Sequence, residues 1–198
     1  MMAWNAIRMQ DVQRFDTGAA THVGRVREHN EDSYLARPDV GIWAVADGMG
    51  GHERGDHASA LIVGELGRVR RPGDARELLR AVDETLAGCN RMLLERARDG
   101  EVSGSTVVAL LVFDQNFAVL WAGDSRVYRL RDGLLEQLTR DHSYVQELVE
   151  RGELAPEQAR AHPLASRITR AVGADQALQS RNKSFGSSRP STTSSCSA

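Results

Sequence analysis

The sequence feature that most constrains this chain is an apolar run that ends abruptly on a carboxylate and a cluster of glycines. Residues 42–46 read Ile-Trp-Ala-Val-Ala, and residues 47–51 read Asp-Gly-Met-Gly-Gly. A short apolar run bounded by glycine predicts a buried strand, although periodicity alone does not exclude a helix. Asp47 would then lie at a strand end, where glycines let backbone oxygens approach a hard divalent cation closely. The alternative is an ordinary Asp-Gly turn between a strand and a helix.

Length and composition favour one cytoplasmic domain. The chain has 198 residues, enough for one substantial core, and a formal net charge of −2, which gives no reason to expect nucleic acid or an anionic membrane as a partner. Its two cysteines, Cys89 and Cys196, are far apart and form no disulfide framework, which favours a reducing compartment. No apolar segment reaches the length of a membrane span.

Apolar periodicity predicts a mixture of helices and strands. Helices are predicted at residues 58–66, 75–98 and 144–151, and strands at residues 106–113, 117–121, 127–130 and 134–138. From residue 176 the chain becomes rich in serine and nearly free of apolar side chains, so it cannot bury enough surface to offset its ordering entropy. We therefore predict a lead-in over 1–20, a partial domain over 21–175 and a disordered tail over 176–198.

Acidic residues cluster at predicted strand ends and loops, within five short motifs. The motifs are Arg-Glu-His-Asn-Glu-Asp at 27–32, Val-Ala-Asp-Gly-Met-Gly-Gly-His at 45–52, Gly-Ser-Thr at 104–106, Ala-Gly-Asp-Ser-Arg at 122–126 and Leu-Thr-Arg-Asp-His-Ser at 138–143. In this order and approximate spacing they resemble the metal-dependent protein phosphatases, the type 2C serine/threonine family, in its bacterial branch. The resemblance covers residues 21–174.

The resemblance implies a fold, a reaction and a cofactor. The expected fold is an α+β, four-layer α/β/β/α sandwich of two mostly antiparallel sheets flanked by helices. The expected activity is hydrolysis of phosphoserine and phosphothreonine in proteins by a water activated at a pair of Mg²⁺ or Mn²⁺ ions. A Ser/Thr kinase and its substrates would then be the expected partners in bacterial signalling.

The resemblance also implies roles for individual residues. Asp47 would bridge the two ions, with the backbone carbonyl of Gly48 as a further ligand. Direct or water-mediated metal contacts would come from Glu31 and Asp32, and Asp124 matches a third-metal position. Arg27 would bind the substrate phosphate, for which its planar fork of donors is suited. Apart from the resemblance, Ser125 and Arg126 are expected to brace the Asp124 loop and not to contact substrate.

Two segments of the family pattern have no counterpart here. The family continues with a strand that ends in Ser-Asp-Gly and later with an Asp-Asn, and both aspartates ligate the first metal. The resemblance stops at Ala174, so the sequence predicts a domain that is incomplete at its C-terminus. The alternative function is therefore a catalytically impaired relative that binds phosphoproteins without turnover.

Overall fold

Two antiparallel sheets form the framework of the computed structural model, which describes residues 15–25, 28–50, 53–98, 103–174, 181–186 and 193–197. The strands in chain order are β1 (Asp32–Arg37), β2 (Ile42–Met49), β3 (Gly104–Ser105), β4 (Val107–Phe113), β5 (Asn116–Ala122), β6 (Arg126–Arg131), β7 (Leu134–Gln137), β8 (Arg181–Gly186) and β9 (Thr193–Ser197). The larger sheet has the order β1-β2-β4-β5-β8 with β3 paired to β2, and the smaller has the order β7-β6-β9.

Three α-helices lie beside the sheets within the described ranges. They are α1 (Glu53–Leu66), α2 (Ala75–Arg98) and α3 (Tyr144–Glu150), and a 3-10 helix follows at Pro156–Ala161. The first two pack on one face of the larger sheet. None of the helices in the described ranges is long and apolar enough to cross a membrane.

Alternation of side chains along the strands produces two cores. On β4, Val107, Ala109 and Leu111 face α1 and α2, whereas Val108, Leu110 and Val112 face the smaller sheet. Because both faces of this strand are covered, its sequence is continuously apolar instead of alternating. The expected combination of antiparallel sheets and flanking helices is confirmed.

The lead-in contacts the inter-sheet core through its last residues. The ring of Phe15 packs edge-on against Trp43 with centroids 4.8 Å apart, and the indole N–H of Trp43 donates to Thr17 Oγ1 at 3.0 Å. These contacts lie on the face of β2 that turns towards the smaller sheet. Residues 1–14 lie outside the described ranges.

The tail contains strands where the composition predicts disorder. Strand β8 pairs with β5 from Trp121↔Arg181 to Asn116↔Gly186, and β9 pairs with β6 from Arg126↔Ser197 to Leu130↔Thr193. The structure thus places two strands within the tail, while the predicted disorder over 176–198 stays a prediction. An exposed strand edge offers backbone hydrogen bonds whatever side chains the incoming segment carries.

Candidate metal centre

Asp32 and Asp47 face each other on neighbouring strands. The register of β1 against β2 makes them direct partners, at the end of the sheet where β1 begins and the pairing with β2 stops. Side chains of direct antiparallel partners project from the same face, with Cβ atoms about 4.5–5.5 Å apart. Like charges in this arrangement repel, so a cation between the two carboxylates would be stabilising.

Glu31 lies against the same strand end, beside the first turn of α1. A Cβ built on Gly55 would lie 2.6 Å from a carboxylate oxygen of Glu31 and 3.0 Å from the carbonyl carbon of Gly48, so the two groups approach one point. A Cβ on Gly48 would lie 2.1 Å from the carbonyl oxygen of Gly55. The close approach of β2 and α1 therefore requires glycine at position 48, and a side chain at position 55 would displace the Glu31 carboxylate.

The backbone of this loop is held from both sides. The carbonyl oxygen of Glu31 accepts from the Gly48 N–H at 3.0 Å and from Ser59 Oγ at 2.7 Å. One residue on, the Asp32 N–H donates to Asn30 Oδ1 at 3.1 Å. These bonds fix the backbone at Glu31 and Asp32, and so the directions in which their side chains point.

Asp47 is held through its own peptide groups. Its N–H donates to Thr106 Oγ1 at 3.1 Å, and its carbonyl oxygen accepts from the Thr106 N–H and from Ser105 Oγ, both at 2.9 Å. The motif Gly104-Ser105-Thr106 thus supports the strand end on the side away from Asp32.

Asp124 lies in the loop between β5 and β6, at the same end of the larger sheet. A Cβ on the preceding Gly123 would lie 2.6 Å from Thr106 Cβ, which places this loop directly beside the support of Asp47. Burial raises the pKa of Asp124 above its usual value, and the charge of Asp141 raises it further. A carboxyl group in this state gains from a nearby cation.

The donors suit a hard cation, and the described residues supply part of a ligand set. Carboxylates and a backbone carbonyl are the oxygen ligands that Mg²⁺ and Mn²⁺ prefer. One oxygen of Asp56, next to Gly55, is buried without a hydrogen-bond partner among the described residues, and such an atom is costly unless a ligand or its hydration water meets it. Across the described ranges, no three His, Cys, Asp or Glu side chains are close enough together to hold a metal alone.

The structure brings most of the predicted site residues to one end of the sheet. Asp32, Asp47, Gly48 and Glu31 are adjacent, and Asp124 occupies the neighbouring loop without joining them in a single metal-holding group within the described residues. Arg27 lies outside the described ranges, so its predicted phosphate contact stays a prediction.

Comparison with known proteins decides the family. The sequence profile described as protein phosphatase 2C matches residues 5–151, which is most of the chain. The chain belongs to the protein phosphatase 2C family. The match begins inside the predicted lead-in, in keeping with the packing of Phe15 on Trp43.

Bacterial phosphatases are among the similar proteins. The serine/threonine protein phosphatase PstP of Mycobacterium tuberculosis is 39% identical over 152 residues, which cover 75% of this chain and 29% of that protein. The structure of PppA, a key regulatory component of T6SS in Pseudomonas aeruginosa, superposes with a TM-score of 0.78 at 42% identity, over 87% of this chain and 72% of PppA. The chain therefore spans less than a third of PstP.

A second similar structure contains metal ions. The catalytic domain of PstP in complex with two manganese ions has a TM-score of 0.72 at 33% identity, over 83% of this chain and 69% of that domain. Manganese binding is thus shown for one protein to which this chain is similar.

Sequence reasoning missed several supporting residues. Thr106 and Gly55 have no assigned role in it, although Gly104-Ser105-Thr106 stood out as a motif and a glycine in the first turn of a helix is a signal of close packing. The predicted bracing of the Asp124 loop is confirmed, since Ser125 Oγ lies 2.7 Å from Thr106 Oγ1 and Arg126 binds Asp141.

Proposed function

We propose that this chain carries the catalytic strand-end site of a serine/threonine protein phosphatase that hydrolyses phosphoserine and phosphothreonine. The observation that supports it best is the pair of carboxylates Asp32 and Asp47 on partnered strands, with Glu31 and Gly48 beside them. Such a cluster does not stabilise the fold, because like charges placed opposite each other destabilise a sheet. Its presence therefore favours a functional role.

In this proposal each residue has a defined task. Two Mg²⁺ or Mn²⁺ ions, when bound, would lower the pKa of a water molecule and neutralise charge on the phosphoryl group. Asp47 would hold both ions, supported by the carbonyl of Gly48, while Glu31 and Asp32 would orient the hydration shell. Asp124 would serve a third ion from the neighbouring loop.

Arg27 is proposed to bind the substrate phosphate. Its motif position in the family supports this role, and a guanidinium can bind two phosphate oxygens at once.

The proposed partners are phosphoserine and phosphothreonine proteins in the cytoplasm, together with the Ser/Thr kinase that modifies them. Manganese and magnesium both fit the donor set.

A second function has a specific observation in its favour. Because no three metal-binding side chains cluster within the described part of the chain, the ions could be held too weakly for turnover. The chain would then bind phosphoproteins through Arg27 and a partial metal site without hydrolysing them.

One experiment separates the two functions. Binding and hydrolysis of a phosphothreonine peptide are measured with increasing Mn²⁺ for the unchanged chain, for Asp47→Asn, and for the control Asp83→Asn, which alters an exposed aspartate on α2. Manganese-dependent turnover that Asp47→Asn abolishes and Asp83→Asn retains supports the phosphatase. Retention of the peptide without turnover supports the binding function, and turnover that survives Asp47→Asn overturns the proposed site.

A further inference from the structure

Two buried hydroxyl groups connect the Asp47 strand end to the Asp124 loop. Thr106 and Ser125 are 1% and 3% exposed, and their hydroxyl oxygens lie 2.7 Å apart. They are separated by 19 residues in the chain. Buried hydroxyls are retained in a core only when hydrogen bonds offset their desolvation.

The bonds form a continuous path from one acidic loop to the other. Thr106 Oγ1 accepts from the N–H of Asp47 at 3.1 Å and, with the same oxygen, bonds Ser125 Oγ. A hydroxyl has one hydrogen and two acceptor lone pairs, so it can serve both neighbours at once. The path ends at Ser125, the residue directly after Asp124.

The other side of Asp124 is also held. The Gly123 carbonyl accepts from the His142 N–H at 2.9 Å, and the Gly123 N–H donates to His142 Nδ1 at 3.2 Å. Gly123 has φ +112°, and its missing Cβ leaves the space that the Thr106 side chain occupies. Asp124 is therefore placed by its two flanking residues.

We propose that Thr106 and Ser125 are positioning residues that set the distance between Asp47 and Asp124. The expected effect on metal affinity rests on the proposed function, since the spacing of two carboxylates matters most when ions lie between them. Partners that orient metal ligands commonly change metal affinity by about 10–100-fold when they are removed.

The first test measures metal affinity directly. Mn²⁺ binding is followed by electron paramagnetic resonance for Thr106→Val, Thr106→Ser, Ser125→Ala and the control Thr139→Val. Thr139 is a matched control because it is 6% exposed and its Oγ1 accepts from a backbone N–H, that of Val127, at 3.2 Å. We expect affinity about tenfold lower in Thr106→Val and Ser125→Ala, and near its original value in Thr106→Ser and Thr139→Val.

The second test needs no metal. Amide hydrogen exchange at Asp47 is measured in chelator for the unchanged chain, Ser125→Ala and Thr139→Val. Because the Thr106 hydroxyl links Ser125 to the N–H of Asp47, faster exchange at Asp47 in Ser125→Ala but not in Thr139→Val supports the connection. Unchanged exchange at Asp47, or an equal rise in Thr139→Val, overturns it.

The two tests keep the two proposals apart. If the unchanged chain binds no Mn²⁺, the proposed metal function fails, and the exchange measurement still decides whether the hydroxyl pair couples the loops. If Mn²⁺ binds and all four variants bind it equally, the positioning role fails while the metal site stands.

Discussion

The guanidinium of Arg126 donates two parallel hydrogen bonds to the carboxylate of Asp141. The distances are 2.9 Å from Nε to Oδ1 and 2.6 Å from Nη2 to Oδ2, and a third bond joins Nη1 to Tyr128 Oη at 3.0 Å. The bonds to Asp141 and then to Tyr128 raise the pKa of Arg126. Since Arg126 follows Asp124 by two residues, this pair ties the acidic loop to the segment that precedes α3.

Replacing Arg126 by lysine should loosen this connection. Arg126→Lys keeps the charge but loses the planar fork, so we expect the free energy of unfolding to fall by about 1 kcal/mol. The control is Arg129→Lys, whose partner Glu136 is half exposed and whose loss should change stability by less than about 0.5 kcal/mol. Urea unfolding checks both, and equal effects would show that the fork at Arg126 contributes nothing special.

The pH dependence of stability should report on Asp124. Burial, and next the charge of Asp141, raise the pKa of this carboxyl above its ordinary value of 3.8, so the folded chain holds the proton more tightly than the unfolded chain does. The folded state is then progressively destabilised as the pH rises above that value. Asp124→Asn removes this effect.

We therefore expect metal-free Asp124→Asn to gain stability over the unchanged chain at about pH 7 and to differ less from it at about pH 4. Urea unfolding in chelator at both pH values measures the difference. A variant that loses stability at the higher pH would show that the Asp124 carboxylate is stabilised, not destabilised, by its surroundings.

The sequence could predict the elements whose determinants are local. Helix α2 spans Ala75–Arg98 as predicted, because its apolar residues recur without interruption on one face. The Asp132-Gly133 turn between β6 and β7 was also readable, and both residues have positive φ as a tight hairpin requires. These features depend on neighbours within a few residues.

What depended on strand register could not be predicted from the residues. The opposition of Asp32 and Asp47 follows from the pairing of β1 with β2, and the contact of Thr106 with Ser125 from the pairing of β4 with β5. The family resemblance anticipated the convergence of the acidic residues but left their hydroxyl supports unassigned. Composition describes only what a segment buries by itself, so it carries no information on the pairing of β8 with β5 or of β9 with β6.

Gly48 and Gly64 provide a matched pair for the close approach of β2 and α1. A Cβ at position 48 would collide with the Gly55 carbonyl, so Gly48→Ala should reduce the free energy of unfolding by about 1–3 kcal/mol. A Cβ at Gly64, in the middle of α1, would meet no atom within 4 Å beyond the helix's own nearby backbone, and Gly64→Ala should be stabilising by about 0.5–1 kcal/mol. Urea unfolding of the two variants tests the packing, and a stable Gly48→Ala would contradict it.

Cys196 offers a chemical probe of strand β9. Its side chain packs against the core between the sheets, and burial raises the pKa of its thiol to about 12. The other thiol, Cys89, is fully buried on α2, and burial raises its pKa to about 11. Since the thiolate is the reactive form, Cys196 in a Cys89→Ala variant should react with a thiol reagent on the order of a thousandfold more slowly than an ordinary cysteine.

The two thiols should also differ from each other. Strand β9 lies at the edge of its sheet and can open locally, whereas α2 is exposed at Cys89 only when the domain unfolds. Without urea, we therefore expect the thiol reagent to modify Cys196 in the Cys89→Ala variant faster than Cys89 in the Cys196→Ala variant. In concentrated urea, both thiols should react at the rate of free cysteine. Labelling of Cys196 at the free rate without urea would mean that the tail does not pair with β6 in solution.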